Sequence, residues 1–157
     1  MKHLLAAVAV LAVVVIASGM PVQADSILDH VGIGISFSPS QTPLLLGIEV
    51  GVSNRFGWTH ISLMLSPSGG TLLHTAFLLP IGTDGPTGTT CLTVAVAALQ
   101  HPGAGNAPGK TELCFGGGLN QRYAGKGRLM LAGGIEFLYP SFLPAPLFLL
   151  HGGWRIP

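Results

Sequence analysis

The chain has 157 residues, of which 48% are hydrophobic and only 8% charged, with seven Lys+Arg against six Asp+Glu. So even a balance excludes a basic nucleic-acid-binding surface, and so apolar a composition excludes an intrinsically disordered chain. Ordinary soluble domains carry about 25% charged residues; a water-facing surface here would lack the side chains that keep it soluble.

Lys2 and His3 open the chain, Leu4–Ala17 form an unbroken apolar run, and Val22-Gln23-Ala24 offer a small-x-small cleavage site. The pattern predicts a secretory signal peptide over 1–24, removed after Ala24 during export by the general secretory route. The run is too short for the roughly 20 residues of a spanning helix. One mature domain over 25–157 follows, and losing Lys2 leaves its basic and acidic residues equal in number.

Segments of about ten alternating residues then succeed one another, divided by turn residues. Over Leu28–Ser38, Val31, Ile33, Ile35 and Phe37 oppose Gly32, Gly34, Ser36 and Ser38. Over 44–53, Leu46, Ile48, Val50 and Val52 oppose Gly47, Glu49, Gly51 and Ser53. Over 58–66, Ile61, Leu63 and Leu65 oppose His60, Ser62 and Met64, and 71–80 alternates less cleanly. Segments 89–99, 110–120, 128–139 and 147–157 complete the set, giving eight candidate strands joined by short links.

Each strand has one aliphatic face and one face of small or polar residues. In a sandwich the small, nearly uncharged faces would have to meet water. In a closed barrel, lipid covers the aliphatic faces and the small residues fit a tight interior, with no open sheet edge left in the bilayer. The expected fold is therefore an all-β, closed, antiparallel, up-and-down transmembrane barrel of about eight strands. A secreted, water-soluble β-sandwich is the alternative.

In this pattern the chain resembles the small eight-stranded outer-membrane β-barrels of Gram-negative bacteria. The last segment keeps that family's alternation through Phe148, Leu150, Gly152, Trp154 and Ile156, although it closes on Pro157 where the family has an aromatic residue. The resemblance implies outer-membrane localisation, with membrane lipid and the barrel assembly machinery as partners. It also implies a structural or narrow-pore role, and no enzymatic activity, cofactor or nucleic-acid partner is expected. Trp58, Tyr139 and Trp154 fit the aromatic girdles of such barrels.

Alternation aims Glu49, Glu112, Glu136, Arg128 and Arg155 into the lumen, where charges must be paired or wetted. They are expected to form a polar plug, while Arg55, Asp84, Arg122 and Lys126 read as solvated turn residues. His30, His60, His74 and His151 share the inward phase. Counted along their strands, His30 and His60 lie towards one end and His74 and His151 towards the other, so no metal site is expected. His60-Ile61-Ser62 resembles the His-x-Ser of outer-membrane lipid A deacylases, implying an acyl hydrolase as an alternative function. That family places a Glu about one strand further on, where this chain offers His74, and its site faces lipid rather than the lumen.

Cys91 and Cys114 fall in consecutive strands, both on the inward face. A hairpin with Gln100–Gly105 as its link would set them directly opposite each other, within reach of a disulfide. Export to an oxidising compartment favours that bridge, worth about 3 kcal/mol on the chain-entropy account.

Overall fold

A computed structural model describes residues 28–39, 42–82, 88–103, 109–124, 127–142 and 145–156. The expected signal peptide 1–24, Asp84, Lys126 and Pro157 lie outside the described residues. Eight strands occur in chain order: β1 (His30–Ser38), β2 (Thr42–Asn54), β3 (Gly57–Leu65), β4 (Thr71–Pro80), β5 (Thr89–His101), β6 (Lys110–Ala124), β7 (Leu129–Tyr139) and β8 (Leu147–Arg155). Each pairs antiparallel with its neighbours, and β1 pairs with β8 to close a barrel. One closed sheet leaves no second sheet to pack against, which removes the sandwich alternative.

The period of two decides which way every side chain points. Ile33 (67% exposed), Ile48 (64%), Val94 (61%), Phe115 and Leu150 stand on the outer wall. Their alternates Ser36, Glu49, Ala95, Cys114 and Leu149 are buried inside. Leu63 and Leu131 face out as the sequence predicts, and Ile35 and Val50 keep the same phase, half-covered by neighbours.

The links alternate between the two barrel ends. The end holding the β2–β3 turn and the residues leading into β1 is termed the mouth here; the other is the far end. Arg55 and Phe56 make the two-residue turn between β2 and β3. At the far end, Gly69 N–H donates to the Ser66 carbonyl at 2.9 Å with φ of 91°, a left-handed conformation that glycine adopts without strain. Outer-wall aromatics gather near both ends. Phe37 stacks on Phe148 across the β1–β8 seam, centroids 4.9 Å apart, and Phe115 meets Tyr139 edge-on at 5.7 Å. Tyr123 and Trp154 stand exposed near the mouth. Trp58 departs from the expected girdle: it shares the inward phase of His60, packs against the core, and lies under the Arg122 guanidinium at 4.4 Å.

The β5–β6 register overturns the disulfide. His101 pairs with Lys110, so the ladder runs further towards the far end than a link at Gln100–Gly105 allows. Cys91 therefore lies opposite Asn120 and Cys114 opposite Ala97. Residues 91 and 97 stand six positions apart on one strand, about 20 Å at 3.3 Å per residue, far beyond disulfide reach. Both cysteines are buried free thiols. The shift is even-numbered, so the inward phase of both survives while their pairing does not.

Candidate functional site

The lumen is divided along its length. Towards the far end it is filled by Leu45, Met64, Leu72, Leu99, Leu138 and Leu147 and capped by Phe142, all at most 1% exposed. Towards the mouth it holds ionisable groups instead, and Glu49 on β2 is their centre.

His30 Nε2 lies 2.9 Å from Glu49 Oε1, and His60 Nδ1 lies 3.3 Å from the same oxygen. His151 Nδ1 contacts the other carboxylate oxygen. Four strands thus contribute: β1, β2, β3 and β8. Ring centroids of His30 and His60 are 5.0 Å apart, those of His60 and His151 5.9 Å. Small residues make the space: a Cβ at Gly51 would clash with the His30 ring, and one at Gly153 would lie 2.9 Å from it.

A second layer sits below. His30 Nδ1 is 2.9 Å from Asp29 Oδ2, and Arg122 Nη2 donates to that same oxygen. Asp29 is tied at the mouth through its backbone, its N–H donating to Gly51 O at 2.7 Å and its carbonyl accepting from Ile156 N–H at 2.9 Å. Burial alone would raise its carboxyl. The His30 hydrogen bond and the Arg122 charge outweigh that and hold it below the ordinary value.

A third pair crosses the barrel, with His74 Nε2 on β4 lying 2.7 Å from Glu136 Oε2 on β7. Those strands are not neighbours in the sheet, so the bond spans the lumen. Asp29 and Arg122 likewise join non-neighbouring elements. The interior is crossed by side chains at two levels on the polar side and filled by aliphatic ones on the other.

Of the residues expected in the plug, Glu49 and Glu136 are at its heart, each at most 2% exposed. Glu112 is at the far rim, with His101 Nε2 at 3.7 Å and Lys110 Nζ at 4.0 Å. Arg128 and Arg155 are exposed at the mouth. Arg122, read from sequence as a solvated turn residue, is buried, because β6 runs on to Ala124. Its signal was present: it continues the even-numbered inward series Cys114, Gly116, Gly118, Asn120. Asp29 gives no such signal, since alternation from His30 points it outward; it is buried because its carboxylate turns to His30 and Arg122.

The two histidine heights expected from strand position also fail. Strands in a closed barrel are staggered, so equal distance from a strand end is not equal height. His151 joins His30 and His60, and His74 alone stands apart. His60 and Ser62 face the lumen, as their phase predicts, and Ser62 Oγ and His60 Nε2 have no hydrogen-bond partner among the described residues. The carboxylate beside His60 is Glu49, which pairs with Ser62 from the preceding strand rather than the following one. Both residues are at most 2% exposed.

The mouth opens into a cavity of about 380 Å³ lined by Asp29, Ser53, Arg55, Trp58, Arg122 and Arg155 among others. A larger groove of about 580 Å³ lies between β6 and β7, floored by Gly118, Gly133 and Gly134 and flanked by Leu119, Ile135 and Phe137. Comparison with known proteins finds no family model, curated protein or solved structure that matches this chain.

Proposed function

We propose that this protein is an integral β-barrel of a bacterial outer membrane with a plugged lumen and a structural role. The observation that carries the reading is inversion: aliphatic side chains cover the outside while histidines, carboxylates and an arginine are inside. Monomeric soluble proteins rarely expose contiguous apolar patches beyond a few hundred Å², whereas lipid-spanning barrels require such a band. Lipid is the partner of the outer wall, and the barrel assembly machinery inserts it after the leader is removed. The cross-lumen bonds of His74 with Glu136 and of Asp29 with Arg122 favour a plug over a narrow pore. The proposed role is not enzymatic; burial of His60 and Ser62, each at most 2% exposed, speaks against the acyl-hydrolase alternative.

Fractionation tests this directly. The protein should remain with membranes after alkaline washing, and its gel mobility should shift on boiling, as lipid-embedded barrels do. Recovery in the aqueous fraction would overturn the reading. Within the membrane, Ile33→Arg should cost about 2–4 kcal/mol and reduce insertion; Ser36→Arg should act through crowding of the interior. Spin labels reporting water at 33 and lipid at 36 would reverse the assignment.

A further inference from the structure

We infer that the lumen binds one transition-metal dication of the zinc class at His30, Glu49, His60 and His151, clamping the seam where the barrel closes. His30, Glu49 and His60 each offer a ligand atom, and these lie within 4.8 Å of one another, all three residues buried. His151 reaches the second oxygen of Glu49. Ligands about 2.0–2.1 Å from a tetrahedral zinc are about 3.3 Å apart. His60 Nδ1 and Glu49 Oε1 stand at 3.3 Å, and His30 Nε2 and Glu49 Oε1 at 2.9 Å. Small side-chain rotations would set all four around one centre.

The surroundings carry the inference further. When His30 donates Nδ1–H to Asp29, its Nε2 presents a lone pair to a carboxylate oxygen. Two acceptors 2.9 Å apart need a cation, or a proton, between them. A carboxylate behind a ligating imidazole is the usual way that tautomer is fixed in metal sites, and Arg122 holds that carboxylate in turn. Arg122 is thereby matched to Asp29, and the ion-pair partners of Glu49 among the described residues are imidazoles. His60, 2% exposed, turns Nδ1 to Glu49 and carries a buried Nε2 without a partner among the described residues, so the cluster serves only the ring nitrogen that faces the proposed centre. Three imidazoles and one carboxylate suit zinc, cobalt(II), nickel or copper(II), and not calcium or magnesium, which take oxygen ligands. Four protein ligands make a closed, structural site rather than a catalytic one. The ligands come from β1 and β8, the first and last strands, and from β2 and β3 beside them. This inference rests on the closed barrel and holds wherever the protein resides.

The test is a titration of the purified full chain, stripped with a chelator and then freed of it, with cobalt(II) followed by zinc. Expected are one cobalt per chain with the intense visible bands of a low-coordinate ion, displaced stoichiometrically by zinc and not by magnesium. His60→Gln and His151→Gln should each weaken zinc binding at least about 100-fold, and Asp29→Asn about 10–100-fold through the ligand it orients. His74→Gln, outside the cluster, should bind as the wild type does. X-ray absorption of the zinc-loaded wild type needs no variant to fold, and should show nitrogen-dominated coordination with one carboxylate. A wild type without cobalt bands, an all-oxygen zinc shell, or unchanged binding in a folded His60→Gln/His151→Gln double variant would each overturn the site.

Discussion

The far half and the mouth half of the lumen solve the same problem in different ways. Both must fill a narrow tube between eight strands. The far half does so with Leu45, Met64, Leu72, Leu99, Leu138 and Phe142, which need only shape and volume. The mouth half uses Glu49, Glu136, Asp29, Arg122 and four histidines, each of which needs a particular partner at a particular distance. Aliphatic filling tolerates exchange of one residue for another of similar size. A buried ionic network does not tolerate loss of a single member, because the group left behind is stranded away from water. The two halves should therefore answer mutation by different rules.

The sharpest break comes from His74 and Glu136. His74→Ala should leave the Glu136 carboxyl buried without its cross-lumen partner and cost about 3–5 kcal/mol. Replacing both, as His74→Leu with Glu136→Met, should recover most of that loss, since a packed apolar pair is often no worse than a buried polar one. Denaturant titration of the single and double variants in one detergent checks this. A double variant as unstable as the single would show that polar identity, and not partnering, matters there.

In the far half, Leu138→Ala should cost about 2–5 kcal/mol through the cavity it leaves, and Leu138→Met less than about 1.5 kcal/mol. The same titration applies. Equal losses for the two would mean that this half also depends on residue identity, and the contrast between halves would fall.

How much of this was legible beforehand follows from the same contrast. Alternation is a local property of one strand, so the closed eight-stranded wall and the outward Ile33, Ile48 and Leu131 could be read from sequence. The phase of Glu49, His60 and Ser62 came with them. What could not be read depended on relations between strands. Barrel stagger brought His151 to His30, and the β5–β6 ladder carried Cys91 away from Cys114. Arg122 reads as a turn residue only if β6 stops at Asn120, whereas the strand runs on to Ala124. Asp29 falls within the alternating segment Leu28–Ser38, which points it outward, but β1 begins only at His30, so the alternation does not govern its side chain.

Asp29 gives a gentler probe of the mouth half, through pH. Its folded-state pKa is lowered from an ordinary value of 3.8, burial opposing and His30 and Arg122 prevailing. A depressed carboxyl contributes stability that is complete above the unfolded pKa and is lost as pH falls through the folded one. Stability should therefore decline below about pH 4 in the wild type. Asp29→Asn should cost about 1.5–3 kcal/mol at neutral pH by weakening charge-assisted bonds, and should flatten the acid limb. An acid limb unchanged in the variant would mean that Asp29 does not govern it.

The smallest effects belong to the cysteines, whose thiols are at most weak donors, as Cys91 Sγ is to the Thr89 carbonyl at 3.8 Å. Cys91 and Cys114 sit in the lumen wall as small hydrophobic side chains. Each Cys→Ala change should cost only about 1 kcal/mol, the loss of one buried atom-sized group. Reductant should leave the unfolding midpoint where it was, because no covalent loop constrains the unfolded chain. Alkylation of unfolded, unreduced protein should label two thiols per chain. Fewer than two, together with a midpoint that falls when reductant is added, would mean that β5 and β6 pair in the shorter register, with the cysteines facing each other. In that case His101 and Lys110 would no longer be opposite, and the far rim at Glu112 would have to be rebuilt with them.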